Sequence, residues 1–229
     1  MALSDDLQKF VKDIFANQWR TRDGAVIPDD TSVALSNDGV SITATVLYAD
    51  LSDSTALVDN CSPEFAAEIY KSYLHCAAKI LRSENGTITA YDGDRVMAVF
   101  IGDNKNTSAA RAALRISWAV DHVINPAIEK QYGQNVYRVG QVVGIDTGKL
   151  LVAKTGIRNA NDLVWVGTPA NHAAKLCALS NYHTLITEDV YNRLHSSARF
   201  AGNANMWTRM SWSKMERVIY GSNYTWAPD

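Results

Sequence analysis

The stretch Ile42–Thr55, ITATVLYADLSDST, decides how this chain is read. From Ile42 to Tyr48 it is an apolar, β-branched run suited to a buried strand. It runs out at Ala49 into an aspartate, Asp50, rather than into an ordinary turn. A second stretch, Thr87–Phe100, TITAYDGDRVMAVF, sets another aspartate, Asp94, at a tight reversal between two runs rich in β-branched and aromatic residues. The Asp92-Gly93 dipeptide is among the stronger hairpin signals, so strands are expected around 87–91 and 95–101.

Working outward, PEFAAEIYKSYLHCAAKILRS begins at Pro63, a good first helical residue, and carries Phe65, Ile69, Tyr73, Cys76 and Ile80 on one stripe. A further helix is expected over roughly 106–130. The segment QVVGIDTGKLLVAKTG reads as two strands around a Gly-containing reversal at Gly148. DLVWVGTPANHAAKLCALS reads as a short strand and then a helix opened by Thr168 as cap and Pro169 in first position. A small βα unit is expected near 183–192, and the aromatic C-terminal stretch reads as an edge hairpin burying its rings, with Lys214 and Arg217 candidates for an anionic ligand. The order β-α-β-β-α-β-β-α predicts an α+β sandwich of ferredoxin-like βαββαβ type, helices packed on a mainly antiparallel sheet. Residues 1–40 form a helical arm, SDDLQKFVKDIF, and a connecting loop rich in Asp, Gly and Pro; the main domain spans 41–229.

With 229 residues, 47% hydrophobic and 20% charged, the composition is that of an ordinary globular protein. The formal net charge of -2 gives no global electrostatic case for nucleic acid or a membrane surface. Cys61, Cys76 and Cys177 form no CxxC pair and fit neither a disulfide framework nor a zinc ribbon. No run approaches the roughly 18 apolar residues of a membrane span, and the N-terminus lacks the basic-then-apolar order of a signal peptide, so a cytoplasmic location is expected.

In a ferredoxin-like sheet the first strand lies near the central hairpin, so Asp50 and Asp94 can converge. Two hard oxygen ligands suit paired magnesium or manganese ions and leave positions open for phosphate oxygens. The plainer alternative is that Asp50 caps a loop and Asp94 belongs to its turn. On the helix after Thr168-Pro169, Asn171 and Lys175 stand at i and i+4 on one face, either as anion-facing groups or as a solvated polar stripe. The five histidines are scattered and read as structural or surface residues.

These stretches together resemble the class III nucleotidyl cyclase catalytic domain. Its metal-binding first strand appears as YADLSDST, with Ser54 where the family has phenylalanine; its hairpin GDxxMAxF appears as GDRVMAVF. Its strand pair RIGIHTGxVxAGxVG appears as QVVGIDTGKLLVAKTG, and its helix GxxVNxAARL as GTPANHAAKL. The four motifs keep their order across about residues 41–190. The resemblance implies two divalent cations, Mg2+ or Mn2+, held by Asp50, Asp94 and the backbone carbonyl of Leu51, and a nucleoside triphosphate cyclised with loss of pyrophosphate. It also implies a head-to-tail homodimer with composite active sites, in which Asn171 orients the ribose and Lys175 meets phosphate charge from the partner chain. The family usually has arginine at that last position, and lysine keeps the charge without the bidentate fork.

Purine cyclases of the family read the base at two positions, occupied here by Ala90 and Val164, which offer no hydrogen bond. Their neighbours Tyr91 and Trp165 are the candidate substrate contacts beside them. The departures resemble the pyrimidine cyclases of bacterial Pycsar anti-phage systems, which implies UTP before CTP, a cyclic pyrimidine nucleotide as signal, and a separate effector protein that reads it. The alternatives are an adenylate cyclase and a non-catalytic, nucleotide-binding pseudocyclase; retention of both Asp50 and Asp94 argues against the latter.

Overall fold

The computed structural model describes residues 2–134 and 136–228. Along the chain run α1 (Leu3–Ala16), β1 (Arg20–Asp23), β2 (Asp38–Ser52), α2 (Ser54–Asn60), α3 (Pro63–Ser83), β3 (Thr87–Asp92), β4 (Arg95–Phe100) and α4 (Lys105–Ala119). A π-helical turn (Val120–Ile124) leads to α5 (Asn125–Tyr132), β5 (Gly140–Ile157), β6 (Ala160–Val166), α6 (Thr168–Leu176), β7 (Thr184–Thr187), α7 (Glu188–Asn192) and α8 (Ser196–Arg199). The short β8 (Phe200–Ala201) and β9 (Ala204–Asn205) precede β10 (Thr208–Trp212) and β11 (Arg217–Ser222).

The chain divides into two compact units, one of Ala44–Gly148 with Thr168 onward, the other of the residues up to Thr43 with Lys149–Gly167. In the larger unit the strand order is β10-β11-β7-β5-β2-β4-β3. β2 pairs antiparallel with β4 from Thr45↔Phe100 to Asp50↔Arg95; β3 with β4, β10 with β11 and β11 with β7 are antiparallel too, and β5 pairs in parallel with β7. This is the expected α+β sandwich, with β2-α3-β3-β4-α4-β5 as its βαββαβ core. Central position explains the sequence of β2: Val46, Leu47 and Ala49 are all buried, as a strand covered on both faces requires.

Helix α3 opens as its sequence predicts, with Pro63 in the first turn and the Ser62 hydroxyl accepting from the Phe65 N–H at 3.3 Å. Its buried stripe is Phe65, Ile69, Tyr73, Ala77 and Ile80. Each fully buried large side chain contributes on the order of 2 kcal/mol. The helix expected over 106–130 is interrupted at Val120–Ile124, where Pro126 in the first turn of α5 removes a backbone donor and the ladder widens to π geometry. The C-terminal hairpin is present: β10 is the edge strand, and Trp207 and Trp212 are buried.

The expected reversal at Gly148 does not occur. β5 is a single strand of 18 residues, not two strands about Gly148. The reversal falls at Arg158-Asn159, where Asn159 takes a φ of 69°, and β6 then pairs with β5 from Ile157↔Ala160 to Leu151↔Val166. Asparagine tolerates the left-handed region, so this turn needed no glycine. Gly148 serves close approach: a Cβ there would come within 3.1 Å of Pro169 Cγ.

In the smaller unit, β1 pairs in parallel with the start of β2, inside the stretch expected as loop. Asn37, buried, donates from Nδ2 to the carbonyls of Ile14 and Asn17, each at 2.8 Å, and so ties down the end of α1. Among the described residues no helix is long and apolar enough to cross a membrane.

Candidate active site

Asp50 is the last β2 residue in register with β4, facing Arg95. Asp92↔Arg95 is the last pair of the β3–β4 hairpin, so its two-residue loop is Gly93-Asp94, one residue later than the Asp92-Gly93 dipeptide suggests. Gly93 has a φ of 61°, a backbone requirement, since nothing lies within 4 Å of an added Cβ. This register sets Asp94 at the hairpin tip, beside the end of β2.

The two carboxylates act on one another. Burial first, and then the Asp94 charge, push the Asp50 carboxyl up to about 6, while Arg95 and the Leu51 N–H pull the other way and Asp92 adds to the rise. Neither Asp50 nor Asp94 is in an ion pair among the described residues. Arg95 is engaged elsewhere, with Nη2 2.7 Å from Asp92 Oδ2 and its guanidinium 5.4 Å from the Tyr48 ring centroid.

Coupled to the pair by charge is a group the sequence shows only as part of a helix stripe. Tyr73 is fully buried, its hydroxyl has no hydrogen-bond partner, and burial with the charges of Cys177, Asp50 and Asp94 holds it well above its ordinary pKa. An unpartnered buried hydroxyl charge-coupled to a carboxylate pair that has no ion-pair partner fits a hydrated divalent ion, which would supply positive charge and water oxygens together. No cluster of three or more His, Cys, Asp and Glu side chains suited to a metal exists among the described residues, so this donor set matches a cation sharing its shell with a ligand rather than a closed structural cage.

Asn171 and Lys175 both lie on α6, exposed, and neither bonds to Asp50 or Asp94. Their neighbour His172 is buried against Asp146 and structural, as expected. Lys214 and Arg217 are exposed. Burial, then Asp50, push the Cys177 thiol up to about 12, which removes it as a nucleophile.

At the base-reading positions, Ala90 is half-buried and Tyr91 is 56% exposed on β3. The register shifts between Ile88 and Ala90, which leaves Thr89 as a bulge residue whose buried Oγ1 has no partner. No sequence signal marks this bulge; its polar side chain is found only from the pairing register. In the smaller unit Val164 is exposed, whereas Trp165, one residue on and therefore on the opposite face of β6, is buried with its indole Nε1 unpartnered.

A profile of the adenylate and guanylate cyclase catalytic domain matches residues 40–217. Similar over full length are the uridylate cyclase of Xanthomonas perforans, 50% identical with 100% of both chains covered, and that of Burkholderia cepacia, 48% identical with 99% of both covered. Among solved structures, the guanylyl cyclase Cya2 superposes with a TM-score of 0.68 at 18% identity, covering 83% of this chain and 96% of that one. The non-canonical dimeric guanylyl cyclase domain of the RhoGC fusion protein from Blastocladiella emersonii gives 0.62 at 13% identity, covering 79% and 95%.

Proposed function

Since the chain belongs to the adenylate and guanylate cyclase catalytic domain family, we propose that it cyclises a pyrimidine nucleoside triphosphate, UTP before CTP, to the 3′,5′-cyclic monophosphate and pyrophosphate. The observation that carries the reaction is the pair Asp50 and Asp94, two charge-coupled carboxylates with no ion-pair partner among the described residues. Full-length likeness to two uridylate cyclases supports the choice of base.

In this reading Asp50, Asp94 and the Leu51 carbonyl would hold two divalent cations, Mg2+ or Mn2+, which would lower the pKa of the ribose 3′-hydroxyl and neutralise phosphate charge. The 3′-oxygen forms a bond to the α-phosphorus, the α–β phosphoanhydride breaks, pyrophosphate leaves and the hydroxyl proton passes to solvent. Asn171 orients the ribose and Lys175 meets charge on the transferred phosphate. Both are exposed on α6 and unbonded to the carboxylates, which suits their service to the other protomer of a homodimer with composite sites. At the base, Ala90 and Val164 provide no hydrogen bond. Thr89 offers a hydroxyl, Tyr91 an exposed ring and Trp165 a free N–H donor.

The catalytic domain is assigned to residues 41–229, preceded by the arm of residues 1–40. The product serves as a cytoplasmic second messenger in anti-phage defence, read by a separate effector protein. Incubation with each of the four nucleoside triphosphates and Mn2+, with products identified by mass, tests the reaction. kcat/KM for UTP should exceed that for ATP by about a hundredfold or more, and a preference for ATP or GTP over both pyrimidines overturns the assignment. Mixing Asp94→Ala with Asn171→Ala chains should restore part of the activity, because one composite site of the heterodimer is intact.

A further inference from the structure

We propose that the Tyr137 hydroxyl is a substrate contact, donating a hydrogen bond to the phosphates of the nucleoside triphosphate that leave as pyrophosphate. This rests on the cyclase reading above and adds to it a residue ahead of β5, outside the four motifs.

Two tyrosines pack edge-on against Phe65 in the first turn of α3: Tyr132, with ring centroids 4.9 Å apart, and Tyr137, with centroids 6.1 Å apart. Their hydroxyls differ. That of Tyr132 donates to Glu68. That of Tyr137 has no hydrogen-bond partner among the described residues, although its ring is half-buried against the core. A ring held by packing with its polar end unused presents a fixed donor.

The segment is also anchored. Asn125, buried, donates from Nδ2 to the Val139 carbonyl at 3.1 Å and accepts the Val139 N–H at 2.8 Å, a two-bond clamp on the backbone. One residue on, Gly140 opens β5 beside the end of β2, where an added Cβ would lie 3.3 Å from Ser52 Cβ. Asp53 then turns the chain out of β2 with a φ of 56°. The clamp, the Gly140–Ser52 approach and the Phe65 contact together set Tyr137 beside the end of β2 that carries Asp50.

Burial first, then Cys61, Asp53, Tyr70 and Asp94, raise the phenol above its ordinary range, so it stays protonated and serves as a donor. The group it meets must be an acceptor that can enter among Asp50, Asp53 and Asp94. A bare anion is repelled there; a phosphate chain entering with the cations that Asp50 and Asp94 would hold is not. Asp53 acts on the phenol more than Asp94 does, which places Tyr137 to one side of the reacting pair, toward the phosphates that are not transferred. An uncharged donor suits this position, since a lysine or arginine would be drawn into ion pairs with the carboxylates before any ligand arrived.

The test titrates Mn2+-pyrophosphate calorimetrically into the resting full-length protein. Tyr137→Phe should raise its dissociation constant about tenfold, as loss of a hydrogen bond to a charged group does. Tyr132→Phe should leave it within about twofold, and the affinity for the 3′,5′-cyclic pyrimidine nucleotide should not change in either variant. In turnover, Tyr137→Phe should raise KM for the triphosphate by a similar factor with kcat within about threefold of the parent. Unchanged pyrophosphate affinity in Tyr137→Phe overturns the proposal, as does a parent that binds no Mn2+-pyrophosphate. An equal loss in Tyr132→Phe overturns it too, by assigning the effect to packing on Phe65, and so does lost affinity for the cyclic nucleotide with pyrophosphate binding intact, which moves Tyr137 to the nucleoside. Because the titration is made without turnover, a chain that cyclises none of the four triphosphates yet loses pyrophosphate affinity in Tyr137→Phe refutes the reaction and supports the contact.

Discussion

Asp50 on β2 and Asp146 on the neighbouring β5 begin from the same chemistry and end differently. Burial pushes both carboxyls above the ordinary aspartate range. Around Asp146 the cost is met with hydrogen bonds: the Thr187 hydroxyl donates to Oδ1 at 2.6 Å, the Thr147 N–H at 2.8 Å, and His172 Nδ1 reaches Oδ2 at 2.9 Å. His172 in turn lies edge-on to Trp212, with ring centroids 5.6 Å apart. Around Asp50 the neighbours are another carboxylate, an arginine committed to Asp92 and a tyrosine hydroxyl left without a partner. Burial therefore does not separate the bonded aspartate from the unbonded one here. Satisfaction does: a closed network holds the fold, and an open one keeps valences for a ligand.

The contrast breaks most visibly in activity. Asp50→Ala and Asp94→Ala should each lower cyclase kcat/KM by about a thousandfold or more while the melting temperature stays within a few degrees of the parent, since each removes a ligand and no core volume. Turnover within tenfold of the parent in either variant would erase the difference between the two aspartates.

The next effect is on stability. Asp146→Asn should cost about 2–4 kcal/mol, because it leaves one of His172, Thr187 and the Thr147 N–H poorly matched inside the core. A thermal melt should fall by roughly 5–15 °C. A shift under 2 °C would mean that the network is dispensable.

Asparagine at position 50 should act in the opposite direction. Asp50 titrates at about 6 in the folded protein against an ordinary 3.8, so the fold holds its proton more tightly than the unfolded chain does. Stability of the metal-free protein therefore falls as pH rises from about 4 to about 6, and the cost is fully present above that. Asp50→Asn should stabilise the metal-free protein by about 1–2 kcal/mol at pH 8, after allowance for solvent screening, with the gain vanishing below about pH 4. Denaturant titration at the two pH values checks this; destabilisation at pH 8 would show that Asp50 is already satisfied.

The smallest change sharpens the role of Tyr73. Tyr73→Phe removes an unpartnered buried hydroxyl and should leave metal-free stability within about 1 kcal/mol. The Mn2+ concentration for half-maximal thermal stabilisation should nonetheless rise by about tenfold, as loss of a supporting hydrogen bond around a cation does. An unchanged midpoint makes Tyr73 a packing residue only.

Much of this architecture was legible along the chain because its signals are local. The β-branched run into Asp50, Pro63 behind Ser62, and the reversal around Gly93 each encode their element through side-chain period or backbone preference within a few residues. Gly148 misled for a physical reason: a glycine that admits Pro169 to a strand and one that permits a turn are the same letter. The bulge at Thr89 left no mark, since it depends on the pairing of β3 with β4 and not on composition. The helical spacing of the N-terminal arm was plain in the sequence, but that no residue of α1 is buried among the described residues emerged only from the structure.

By itself the sequence determined which residues are candidates for chemistry and on which elements they ride: Asp50 at a strand end, Asp94 at a hairpin, Asn171 and Lys175 one turn apart on a helix. Tertiary structure decided which of these groups find partners. Asp146 is completed by His172 and Thr187, 26 and 41 residues away, whereas the buried Tyr73 hydroxyl is left without a partner. Hydrogen-bond satisfaction in a buried site is a property of neighbours in space, and no local pattern of residues carries it.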